Sequence, residues 1–149
     1  MSKYKVIQLT NSNIGAITAG SFLPLGSVTR RINASCDCDS IYTVSSSTND
    51  SVIISEPGYY KVTYSASLTA GAEGVVSVSL LTNSTSVYTV SENALAADDI
   101  VDLTLVYIIR VCPNCCSTPT NCPVTVQIAL GDVATSGTST ANLIIERVY

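Results

Sequence analysis

From Tyr59 to Thr69 the sequence alternates without interruption. Tyr60, Val62, Tyr64, Ala66 and Leu68 fall on one side of an extended chain, and Tyr59, Lys61, Thr63, Ser65, Ser67 and Thr69 on the other. A period of two sustained over this length specifies a β-strand with one buried face. Pro57-Gly58, just before it, predicts a tight corner, because proline presets φ and glycine accepts the positive φ that the next position needs. A short strand over Ser51–Ser55 therefore feeds through a corner into a long one, and this pair organises the rest of the chain.

The remaining sequence reads as further short strands joined by turns. Lys3–Leu9 has strand character, whereas Asn11–Gly26 carries three glycines and a proline among scattered apolar residues and follows neither period. Residues 1–30 are therefore expected to form an irregular N-terminal arm that attaches the protein to a partner, with a sandwich domain over 31–149. Ser27–Ile32 and Ile41–Ser45 are short strand candidates, Ala70–Gly74 is a turn, and Val76, Val78 and Leu80 alternate again. Val87–Ser91 is a further strand, and Glu92–Asp99 is expected to be a loop. Val124–Leu130 alternates cleanly, and Asn142–Tyr149 closes the chain. Eight to ten strands at regular spacing point to an all-β sandwich or barrel.

Two strands break the one-sided rule. In Ile100–Val111 the residues Val101, Leu103, Leu105, Tyr107, Ile109 and Val111 make one apolar face, but the opposite face also turns apolar at Val106 and Ile108 after the polar Asp102 and Thr104. In the last strand Leu143 and Ile145 face one way, and Ile144 and Val148 the other. A strand apolar on both sides is covered on both sides. In a single small sandwich the second cover comes from another chain, which makes Val106, Ile108, Ile144 and Val148 the candidate subunit interface.

Composition narrows the function classes. The 149 residues suffice for one domain, which buries roughly 68–70% of its unfolded surface. Charged residues are only 12% of the chain, against about 25% in an ordinary soluble domain. The 38 Ser and Thr residues supply the polar cover instead. A net charge of −4, with three Lys and four Arg, leaves no basic patch for nucleic acid. No histidine is present, which removes the commonest general base and the commonest neutral metal ligand together. There is also no Gly-x-Ser-x-Gly elbow, so an enzyme is not expected. Mean hydropathy is high at +0.38, yet no apolar run approaches the roughly 18 residues of a membrane helix, so no membrane partner is expected. The opening MSKYKVIQLTNSNIG lacks the apolar core of a secretory signal, so synthesis in a host cytoplasm is expected.

Six cysteines fall in two groups, Cys36 and Cys38, then Cys112, Cys115, Cys116 and Cys122. All six are disulfide candidates, as an even number in loops suits pairing. Cys112-Pro-Asn-Cys115 also has zinc-knuckle spacing, which Cys36 together with Cys38 or Cys122 would complete to four thiolates. Adjacent Cys115 and Cys116 do not both fit one zinc, and free thiols are the third reading. Asp98, Asp99 and Asp102 offer carboxylate oxygens for calcium, although such a group is more often a solvated loop. Asn33, Asn49 and Asn83 open glycosylation triplets that matter only on secretion. No organic cofactor is implied.

Ile54–Leu68, with its apolar strand, its Pro57-Gly58-Tyr59-Tyr60 corner and the alternating Val62 and Tyr64, resembles the TNF-like jelly roll. This is the fold of tumour necrosis factor ligands and of the globular heads of complement collagen-like proteins. The short final strand Leu143–Val148 agrees with that family's last strand. The resemblance implies a homotrimer packed about a threefold axis through the sheet that holds the last strand and the long strand near Val111. It also implies kinship with structural proteins of tailed bacteriophages used as head fibres, decoration proteins and tail-tip modules. A non-enzymatic virion protein is therefore expected, joined to other virion proteins by its N-terminal arm and presenting loops to host glycans. A bacterial cell-surface or spore-coat adhesion module is the alternative.

Overall fold

The computed structural model describes residues 5–32, 41–45, 47–111 and 123–148. Ten strands and no helix occur among them: β1 (Val6–Ile14), β2 (Ser27–Ile32), β3 (Tyr42–Val44), β4 (Val52–Ile54), β5 (Gly58–Thr69), β6 (Gly74–Thr82), β7 (Thr85–Ala94), β8 (Ile100–Val111), β9 (Val124–Leu130) and β10 (Ser139–Arg147). No helix among the described residues is long and apolar enough to cross a membrane. The strands form two five-stranded sheets, in the orders β2-β1-β10-β5-β8 and β3-β4-β9-β6-β7. All pairings are antiparallel, and the first and last strands lie side by side.

β5 occupies the place its alternation foretells. It pairs along its whole length with β8, from Gly58 opposite Val111 to Thr69 opposite Ile100, and with β10 on its other side. The cross-strand rows Ile145–Val62–Tyr107, Leu143–Tyr64–Leu105 and Ala141–Ala66–Leu103 face inward. There they meet the buried Val76, Val78 and Leu80 of β6 and Val126, Ile128 and Leu130 of β9 in one continuous core. Each fully buried aliphatic or aromatic side chain in these rows contributes about 1.5–3 kcal/mol relative to exposure. At the corner ahead of β5, Gly58 adopts φ 152°, inside the range that favours glycine.

The expected N-terminal arm is not separate from the sandwich. β1 is an inner strand of the first sheet, paired with β10 and β2, and Ile7, Leu9, Ile14, Leu23 and Leu25 are core residues. The segment after β1 is stitched to the second sheet by Leu23 N donating to Ile128 O at 2.8 Å and Leu25 N donating to Asn49 O at 2.7 Å. A register shift between Asn11 and Ile14 ends the regular pairing of β1, which explains why no period is visible here. Gly26 lets the returning chain cross β1. It sits at φ 88°, and a Cβ there would lie 2.1 Å from the carbonyl oxygen of Thr10. A second difference lies in β7, which continues through Glu92 to Ala94 where a loop was expected. Only Ala94 of this edge strand is fully buried, so it carries little alternation to read.

One polar atom of the core stands out. The Tyr64 hydroxyl is buried and has no hydrogen-bond partner among the described residues. An unpaired buried polar group costs about 1–3 kcal/mol, so Tyr64→Phe is expected to leave the urea midpoint unchanged or raise it. A loss above about 1 kcal/mol would show that the hydroxyl is bonded in the folded protein.

Candidate functional site

The outer face of the first sheet is built from the residues alternate to the core rows. Its central row runs Gln8, Ile144, Thr63 and Val106 across β1, β10, β5 and β8. The next row toward the base, the end of the sandwich where β10 finishes, holds Glu146, Lys61 and Ile108. Beyond it Val148 donates its backbone N–H to Tyr59 O at 2.8 Å, and Tyr59 lies opposite Arg110, whose guanidinium stands 5.8 Å from the tyrosine ring centroid. Val106 and Ile144 flank β5, which places them about 10 Å apart.

The four interface candidates therefore share one sheet face. Val106 is 47% exposed, Ile108 55% and Val148 43%, while Ile144 is half-buried. The core-facing residues of β8 on either side of them, Leu105 and Ile109, are 0% and 6% exposed. Toward the tip the same face turns hydroxyl-rich. Thr10, Ser65, Ser67, Thr104, Thr140 and Asn142 line a shallow depression of about 500 Å3. Two of the outward hydroxyls there are bonded to neighbours, Thr10 Oγ1 to Asn142 Oδ1 at 3.1 Å and Ser67 Oγ to the Asp102 carboxylate. At the free edge of β8, Tyr107 stacks on Tyr88 of β7 with centroids 5.2 Å apart, closing the seam between the sheets.

A charged cluster marks the base. Glu56 accepts from Lys5 Nζ at 2.7 Å and from an Arg147 guanidinium nitrogen at 2.5 Å. Tyr60 donates to Glu56 O at 2.7 Å, Tyr42 donates to Lys5 O at 2.9 Å, and the two rings meet edge to face at 6.1 Å. Burial, reinforced by the Glu56 carboxylate against the pull of Arg147, pushes the Tyr60 hydroxyl up to about 12. Burial also raises Tyr42, with smaller help from Tyr60 and Glu56, and raises Tyr64.

All six candidate cysteines lie outside the described residues, so neither the disulfide nor the zinc reading meets a geometry here. The strand ends that flank them do share a place: Ile32, Tyr42, Val111 and Val124 all terminate their strands at the base. The three aspartates considered for calcium are each engaged separately. Asp99 caps a turn by accepting from the N–H groups of Leu95 and Ala96 at 2.9 and 3.0 Å, Asp98 accepts from Ser136 Oγ at 3.2 Å, and Asp102 accepts from Ser67. No group of three or more metal-ligating side chains is brought together among the described residues.

Two five-stranded antiparallel sheets in these orders make a jelly-roll sandwich of the TNF-like kind. No protein-family model matches the sequence, and no curated protein matches it significantly. Solved structures do match in fold. The globular domain of zebrafish complement 1qA is 11% identical, with a TM-score of 0.63 over 97% of this chain and 98% of that one. PRD1 vertex protein P5 is 13% identical, with a TM-score of 0.63 over 97% of both chains. The Eiger TNF of S. frugiperda is 6% identical, with a TM-score of 0.67 over 98% of this chain and 92% of that one. At such identities the likeness concerns the fold.

The raised tyrosines give the protein an alkaline limit. Between pH 10 and about 12 the unfolded chain releases a proton that folded Tyr60 still holds, so stability is intact below pH 10 and falls as pH rises through this window. Tyr42 and Tyr64 add to the loss in the same direction. Their tyrosinate absorbance is expected to appear together with loss of the far-ultraviolet β signal. Ionisation that precedes unfolding would contradict the burial.

Proposed function

We propose that this chain is a non-enzymatic structural protein of a virion, assembled as a homotrimer through the outer face of its first sheet. The carrying observation is the outward apolar pair of β8 on that face, Val106 and Ile108, which stand 47% and 55% exposed, with Ile144 on the same face across Thr63. Contiguous exposed apolar surface on a soluble domain marks an interaction site. Contacts between identical chains close by rotational symmetry, and the threefold arrangement is what the resemblance to TNF-like jelly rolls implies. The fold likeness to a complement globular domain, to a TNF and to a vertex protein supports a displayed, assembled module.

In this reading the particle is that of a tailed bacteriophage, with the protein serving as head fibre, decoration or tail component. Because residues 5–32 belong to the sandwich, attachment to other virion proteins falls to its surfaces rather than to a free arm. The hydroxyl-rich loops and strands offer hydrogen-bonding partners to host glycans.

The test is the pair Val106→Asp and Ile108→Asp in one chain. Six carboxylates about one axis repel and demand water, so light scattering after size exclusion is expected to show the species falling to the monomer while circular dichroism stays that of the parent. The milder pair Val106→Thr and Ile108→Thr serves as a folding control and should weaken assembly at low concentration. An unchanged mass for both pairs would overturn the proposal.

A further inference from the structure

The tip of the sandwich, opposite the base, is a rigid apolar knuckle in an acidic field. Leu95 is the most exposed large apolar side chain of the described residues at 77%, and Val75 is 55% exposed. Val75 lies on the outer side of the second sheet opposite Asn93, and Leu95 follows two residues later on the same strand line. Both lie on the second sheet, away from the proposed assembly face. An exposed leucine in a slack loop would carry little meaning. This one is held: its own N–H donates to Asp99 at 2.9 Å, Asp98 N donates to Ala70 O at 2.8 Å, and Ala70 N donates to Asp99 O at 2.8 Å. Ser136 Oγ bridges Ala70 O and Asp98 at 3.3 and 3.2 Å. Little conformational entropy is then left to lose on binding.

The described cations are confined to one half of the long axis, whereas acids occur in both and predominate at the tip. The described Lys and Arg residues, Lys5, Arg30, Arg31, Lys61, Arg110 and Arg147, all lie at or below the Gln8–Val106 row, in the basal half. Glu73, Glu92, Asp98, Asp99, Asp102 and Asp132 all lie at the tip. Like charge disfavours anionic lipid and acidic glycan there, and opposite charge selects a cationic partner.

We infer that the tip is a docking surface for a basic protein, one whose apolar socket takes Leu95 and Val75 while its lysines or arginines face Glu73 and Asp132. The partner engages by hot-spot burial inside a charged rim, the arrangement in which a few central side chains carry most of the affinity.

The probe is an immobilised synthetic amphipathic helix of leucine and lysine, with phosphatidylcholine vesicles containing phosphatidylglycerol as the anionic alternative. The intact chain is expected to bind the peptide, more weakly as salt rises, and to ignore the vesicles. Leu95→Ser with Val75→Thr, and separately Glu73→Gln with Asp132→Asn, should each weaken peptide binding at least tenfold. Asp50→Asn, a charge loss away from the tip, should leave it unchanged. Equal binding by parent and tip variants, an equal loss in D50N, or preference for the vesicles would each overturn the inference. Sedimentation of the same samples separates this outcome from the trimer proposal, since a monomer that binds the peptide through its tip would sink only the latter.

Discussion

Two sheets packed face to face can hide one side of each strand from water and no more. In this chain the hidden sides are filled by β5 and its neighbours, where Tyr60, Val62, Tyr64 and Leu68 are 1% exposed or less. The core thereby accounts for every inward row without recourse to a partner. What remains are the outer sides, and there the sequence departs from the hydroxyl cover it uses elsewhere. On the outer face of β8 the exposed Ile100 is followed by the polar Asp102 and Thr104 and then by Val106 and Ile108, so apolar residues return in the basal half of the strand. Removing such side chains from water is worth about 25 cal/mol for each Å2 of apolar surface, and in the proposed trimer the neighbouring copies would supply that cover.

The low charge content gives the few charges present unusual weight. At the base, Glu56 holds Lys5 and Arg147 together from three distant parts of the chain, tying the first strand, the corner before β5 and the last strand. Partial exposure limits what each pair contributes to stability, so the cluster acts more to fix geometry than to hold the fold. Tyr42 and Tyr60 extend it inward by donating to backbone carbonyls. Six of the nine described acids, by contrast, lie toward the tip, away from every described cation. One axis of the molecule therefore separates a base of mixed charge from a negative tip, while one face separates apolar from hydroxyl surface.

Much of this was legible from residues alone, for reasons that are themselves physical. β5, β8 and β9 alternate because each has a dry side, and Ile100–Val111 and Val124–Leu130 match their observed bounds. Two stretches were not legible. Between Ser12 and Gly26 the chain leaves β1 through an irregularity and is fixed by scattered backbone bonds to β9, to Thr135 and to Asn49, so its buried Leu23 and Leu25 sit at no regular spacing. β7 is an edge strand with exposed sides, so it has no dry face to announce itself. The outer apolar residues were visible as a breach of alternation, whereas of the acidic tip only the neighbours Asp98, Asp99 and Asp102 were. Glu73, Glu92, Asp98 and Asp132 are scattered in sequence, and only the topology gathers them.

The central claim is that the outer face of the first sheet is covered by other copies of the same chain. Sedimentation equilibrium of the unaltered protein at micromolar concentration measures this without mutation or label. A trimer gives three times the chain mass of 15.6 kDa, held on dilution across a decade in concentration. A single-chain mass throughout that range, with Val106 and Ile108 left in water, would contradict it.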